Sequence, residues 1–186
     1  LERRPLEPVS GHSGPNSPSR SSRKKWSGDR GDGHEAVIAR LEEMGLLPGA
    51  RPPAGDDPPP LEHAGVVVAG GRGLGDAGAF AMVEELARLL GGAPAASGGA
   101  VASGWAPSTW LVGQTAATIG PDLYLAFGIS GASQHLAGIG RAGHVIAVTD
   151  DATAPILAVA DLAVIGDPRR VLSLLVGRLG GGPNAG

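Results

Sequence analysis

The sequence predicts an α/β protein built on a doubly wound parallel sheet, and three observations carry that reading. Short apolar runs ("GVVVA", "DLYLAFG", "HVIAVTD" and "DLAVIGD") are continuous rather than alternating in polarity, as in strands covered on both faces. Segments with helical spacing or helix punctuation separate them, the order expected of strands joined by crossover helices. The strand-to-helix turns "GGRGLGDAG", "GISGASQH" and "TDDATAP" are glycine-rich or polar. In such sheets ligands lie at the carboxyl ends of the strands, in those turns.

The elements follow in order. Of the 16 prolines, 10 fall in the first 60 residues, with 9 of the 15 Lys and Arg. Leu1 to Gly33 therefore has too little apolar surface to offset chain entropy and is expected to be disordered. The cluster Arg20, Arg23, Lys24 and Lys25 beside Trp26 is read as a solvated tail in preference to an RNA or membrane contact. "HEAVIARLEEMGLLPG" places Val37, Ile38, Leu41 and Met44 at helical spacing, which predicts a short amphipathic helix over 34–47. "ARPPAGDDPPP" then reads as a stiff linker. Residues 1–60 are thus a Pro-rich, disordered extension with one helix, and 61–182 the folded domain.

Within that domain, "GVVVA" is a strand and "GAFAMVEELARLLGG" a helix ending in glycine. "APAAS" is a second, short strand. After an irregular stretch come "DLYLAFG" as a strand and "SGASQHLAGIG" as a helix, with Ser130 as its expected cap. "HVIAVTD" is a strand, "APILAVA" a short helix, "DLAVIGD" a strand and "DPRRVLSLLVGRLGGG" a last helix with Pro168 in its first turn.

Composition excludes several functions. With no cysteine there are no disulfides, thiolate metal sites or cysteine nucleophiles. No apolar run approaches the ~20 residues of a membrane span. "LERRPLEPVS" has no stretch suited to a secretory signal, so the cytoplasm is the expected location. From Leu61 onward 6 basic residues face 9 acidic ones, which argues against a nucleic-acid surface.

The turns narrow the chemistry further. Gly73, Gly75 and Gly78 form G-x-G-x-x-G, the spacing of a dinucleotide loop. No Gly-Lys-Ser/Thr follows, so a Walker A loop is excluded. A nicotinamide site needs an acid at the end of the second strand, and nothing between Leu86 and Trp110 is acidic. "GISGA" lacks the second glycine of a nucleophile elbow, and His135 has no acid or nucleophile beside it in sequence. No catalytic residue and no metal ligand set is assigned. Small residues at helix starts remain, and these favour phosphate.

Taken together, "VVVAGGRGLG", "VGQTAATIGPDLYLAFGISGASQHLAGI" and "DDATAPILAVADLAVIGD" resemble, in order and spacing, the FAD-binding domain of the electron-transfer flavoprotein alpha subunit, the family that includes FixB. The resemblance spans about Leu61 to Leu179. It implies a Rossmann-like domain holding FAD in an extended conformation, with the flavin ring near a beta subunit in a heterodimer. Electrons would come from acyl-CoA or other dehydrogenases, as in fatty acid beta-oxidation, and pass to a quinone oxidoreductase. By the same resemblance Arg72 and Ser97 lie beside the flavin. Val112, Gly113, Gln114 and Thr115 form the "VGQT" loop, with the Thr115 hydroxyl near flavin N5. Ser130, Gly131, Ala132, Ser133, Gln134 and His135 wrap the pyrophosphate and flavin, with His135 at the pyrimidine edge, acting as a donor or, when protonated, as a cation. Thr149 and Asp167 stand at the adenosine end.

This chain departs from the family pattern at three places. Where the family has Arg after the serine of "AS", this chain has Gly98, which implies a lower one-electron flavin potential. Thr149 replaces an Asn. The α/β domain that precedes this one in the family has no counterpart in Leu1 to Pro60. Those same departures keep a second reading open, a domain that retains the fold as a non-redox interaction module.

Overall fold

The continuous apolar runs become the central strands of a parallel sheet. A computed structural model describes residues 24–27, 32–47, 57–113 and 116–181. The strands are β1 (Lys24–Ser27), β2 (Val66–Gly70), β3 (Ala93–Ala96), β4 (Leu123–Phe127), β5 (His144–Thr149) and β6 (Leu162–Ile165). They run parallel in the order β1-β6-β5-β4-β2-β3. Val68 lies level with Leu125, and Leu125 with Ile146, which in turn pairs with Leu162.

Successive residues of each strand feed opposite cores, as the period of two requires. Val66, Val68, Leu123, Leu125, Phe127, Ile146 and Val148 pack on one side. Val67, Ala69, Tyr124, Ala126, Val145 and Ala147 pack on the other. The first face is covered by α1 (Gly33–Glu43), α2 (Phe80–Leu89) and α5 (Pro168–Gly180), through Val37, Leu41, Val83, Leu86, Leu172 and Leu175. The second face is covered by α4 (Ser133–Gly138), a 3-10 turn at Pro155–Ala158, and Ile119, Ile129 and Ile139. A further short helix, α3 (Gly98–Ala102), follows β3.

Three details differ from the sequence expectations. Lys24–Ser27, inside the stretch expected to be disordered, is an edge strand paired with β6, Lys24 beside Leu162 and Ser27 beside Ile165. An edge strand is held by backbone hydrogen bonds, so "KKWS" carries no apolar run to announce it. Secondly, the amphipathic helix expected over 34–47 runs from Gly33 to Glu43, and α1 packs on α5 and β6 as part of a covering layer. It ends just before Gly45, whose φ of 67° is left-handed. Thirdly, Ser130 does not cap α4. Gly131, at φ 86°, turns the chain first, and the helix starts at Ser133 with Ala132 as its N-cap.

Candidate functional site

The strand order decides where a ligand can sit. From β2 the chain goes through α2 to β3 on one side, and from β4 through α4 to β5 on the other. α2 covers the first face, whereas Leu136 and Ile139 at α4 pack on the second. The loops after β2 and β4 therefore leave neighbouring strands in opposite directions, the topological switch point at which open parallel sheets bind ligands. A cleft of about 760 Å³ opens there. That lies within the ~300–1,000 Å³ usual for cofactor sites.

Glycines knit the cleft's floor. Gly73 N donates to Gly128 O at 2.9 Å, and Gly71 N to Phe127 O at 2.9 Å. A Cβ on Gly73 would lie 2.7 Å from Gly128 Cα, and one on Gly128 would lie 2.7 Å from Gly73 C. Gly128 also has a φ of 64°, where an L side chain is strained. On the far side Gly131 lies under the next loop, where a Cβ would come within 2.5 Å of Ile156 N, and Ile156 N donates to Ser130 O at 3.1 Å. The glycine spacing after β2 thus serves loop-on-loop packing: its first glycine meets Gly128, and its third meets only the Asp76 side chain, at 3.1 Å.

Most of the residues picked out by the resemblance meet around this cleft. Arg72, Ser97, Val112, Gly113, Ser130, Gly131, Ala132, Gln134, His135 and Thr149 all line it. Gln114 and Thr115 lie outside the described residues. Ser133, the exposed first residue of α4, does not line it. Asp167 does not either: its carboxylate caps α5, accepting from Arg169 N at 2.9 Å and Arg170 N at 3.1 Å. Gly99, Leu111, Ile129, Asp150 and Asp151 also form the walls. Their only sequence signal was the polarity of "TDDATAP" and the smallness of the residues after Ser97.

The wall chemistry is specific. Arg72 is exposed, and its stem lies across Gly99, where a Cβ would stand 2.9 Å from Nε. Ser97 Oγ accepts from Ala100 N at 3.4 Å and caps α3. Among the described residues the amides of Gly131, Ala132, Ser133 and Gln134 donate to no acceptor, a row of free donors leading into α4. Thr149 is buried, and its Oγ1 accepts from Asp151 N at 3.2 Å. Asp151 Oδ1 accepts from Thr153 N at 2.8 Å and Thr153 Oγ1 at 2.6 Å, which lowers its pKa.

His135 is the buried titratable group on this wall, 5 % exposed. Its Nε2 lies 2.9 Å from the Tyr124 hydroxyl, and its Nδ1 is buried with no hydrogen-bond partner. Burial lowers the pKa of His135, with the Val112 backbone carbonyl opposing in part. The imidazole is therefore neutral at pH 7, which favours its expected part as a donor over the cationic one. Burial also pushes the Tyr124 phenol far above its ordinary value, so it stays protonated.

Residues 60–140 match a family model described as the electron transfer flavoprotein FAD-binding domain. This segment belongs to that family. Among similar proteins are electron transfer flavoprotein alpha subunits of Paracoccus denitrificans, 49% identical over 126 residues, and of Mycobacterium leprae, 50% identical over 131. These matches take in 68% and 70% of this chain, and 41% of each relative. The mitochondrial alpha subunit of Arabidopsis thaliana is 47% identical over 121 residues, 65% of this chain and 33% of the relative. The chain thus spans between a third and about two-fifths of the length of these relatives. FAD, the group in the family's description, fits what this domain offers. Free amides and Arg72 suit a pyrophosphate, and the unpartnered His135 Nδ1 is a polar atom without a protein ligand. Among the described residues no helix is long and apolar enough to cross a membrane.

Proposed function

We propose that the cleft binds FAD and that the chain acts as an alpha-type electron-transfer flavoprotein subunit. The observation that carries this reading is the row of free amides from Gly131 to Gln134, which shares one cleft with Arg72 inside the family-matched segment. When bound, FAD supplies the one- and two-electron chemistry. The chain's own residues bind and orient. The amides of Gly131 to Gln134 and the Arg72 guanidinium neutralise the pyrophosphate. Ser97, Val112 and Gly113 form the wall beside the ring, and His135 donates to its pyrimidine edge. Thr149 and the Asp150 carboxylate take the ribose and adenine end, where hydroxyl donors suit an acceptor. Asp167 supports that end through the start of α5. A beta subunit completes the pocket in a heterodimer. Acyl-CoA or other dehydrogenases deliver electrons, a quinone oxidoreductase receives them, and the exchange takes place in the cytoplasm.

The test is to purify the chain with and without a candidate beta subunit and record its visible spectrum. Flavin absorbance, with FAD and not FMN released on denaturation, is the expected result. A second reading, a non-redox interaction module, is favoured by Gly98, an exposed position on the cleft wall with no cation, whose Cβ would meet only Leu111 Cδ1 at 3.8 Å. A chain that stays colourless with its partner and added FAD supports that reading and overturns the first.

A further inference from the structure

We propose that Tyr124 is a positioning residue that sets the tautomer of His135: its phenol donates to Nε2 at 2.9 Å, which leaves Nδ1 as the protonated nitrogen and the ring's donor for a ligand in the cleft. The argument is a count of orphaned groups. Tyr124 is fully buried, on the strand face away from α2 and α5, and among the described residues its hydroxyl has one hydrogen-bond partner, His135. If the phenol donates, both the hydroxyl and Nε2 are satisfied, and Nδ1–H alone is left over. If instead Nε2–H donates, the buried phenol proton has no acceptor and the Nδ1 lone pair has no donor. Two buried polar groups are then stranded instead of one, and each such group is costly.

The consequence for the cleft is directional. His135 offers it a neutral N–H donor, suited to a carbonyl oxygen or a ring nitrogen lone pair, and offers no acceptor to an N–H. This last step rests on the FAD reading, in which the flavin pyrimidine edge presents such acceptors.

The experiment measures the tautomer in the full chain without added ligand, by 15N NMR of the histidine ring at a pH where His135 is neutral. The expected result is a pyrrole-type Nδ1 and a pyridine-type Nε2. The reverse assignment would overturn the proposal. Tyr124→Phe removes the donor, and the ring should then move toward the Nε2–H form that free histidine prefers. An unchanged tautomer in a folded Tyr124→Phe chain would equally sink it. If that variant does not fold, the wild-type assignment decides alone. With FAD, Tyr124→Phe should weaken binding on the order of tenfold, the size of one lost hydrogen bond. Failure of the chain to bind FAD at all leaves the tautomer measurement standing, so the two readings fail separately.

Discussion

Gly128→Ala is the sharpest test of what the cleft's glycines do. At φ 64° the new residue would adopt a left-handed conformation, costing about 1–2 kcal/mol. Its Cβ would lie 2.7 Å from both Gly73 C and Leu74 N. Those are backbone atoms that cannot rotate aside, so the loop after β2 must move. That movement stretches the 2.9 Å bond from Gly73 N to Gly128 O, worth about 1 kcal/mol. The sum is about 2–3 kcal/mol, a large share of the ~5–15 kcal/mol by which domains are stable. The comparison is Gly78→Ala, at the third glycine of the G-x-G-x-x-G. There the nearest atom is Asp76 Oδ1 at 3.1 Å, a side-chain end that can shift, and the change should cost less than about 1 kcal/mol. Urea unfolding of both variants, without any ligand, gives the two losses directly. If Gly128→Ala unfolds at the wild-type midpoint, or Gly78→Ala loses as much, the loop-packing account is wrong.

The other predictions concern single groups. Because burial lowers the His135 pKa, the unfolded chain binds its proton first as pH falls below about 6.5, so this group's contribution to stability declines from there toward its folded pKa. The slope approaches about 1.4 kcal/mol per pH unit; His135→Gln should flatten it, and an unchanged slope in urea titrations across pH would refute the assignment. Asp167→Ala should cost about 1 kcal/mol of stability as a lost N-cap. Equilibrium dialysis with FAD should then show little change, and a large loss of binding would put Asp167 at the ligand instead. Gly98→Arg should raise the flavin's one-electron potential by some tens of millivolts, for an exposed interaction of about 1 kcal/mol. An unshifted redox titration would sever the link between that position and the flavin.

Much of the site was legible because its parts are local. Continuous apolar runs require burial on both faces, and small residues after each strand leave amides open, so "GISGASQH" and "GGRG" could be read as ligand loops from their own residues. The edge strand Lys24–Ser27 was not legible, since a strand stitched to Leu162–Ile165 by its backbone has no side-chain pattern to betray it. The Ser130 cap failed for a related reason. Helix punctuation is read from residue type, whereas the turn at Gly131 comes from its packing beneath Ile156. Asp167 bears the residue type of a ligand contact, and only the structure shows that its Oδ1 caps α5 through the amides of Arg169 and Arg170.

By itself the sequence determined the class of fold, the order of strands β2 to β6 with helices α1, α2, α4 and α5, and the family resemblance over about Leu61 to Leu179, because these rest on periodicity, helix punctuation and short motifs. Which loops face one another was decided only in three dimensions. The order β3-β2-β4-β5 makes the loops after β2 and β4 diverge, brings Ser97 and Arg72 into one cleft with His135, and sets Tyr124 against the imidazole. Residues 124 and 135 share no local pattern. They meet because a strand residue facing the second layer lies beneath the helix that crosses it, and the burial of both turns two ordinary side chains into one hydrogen-bonded unit.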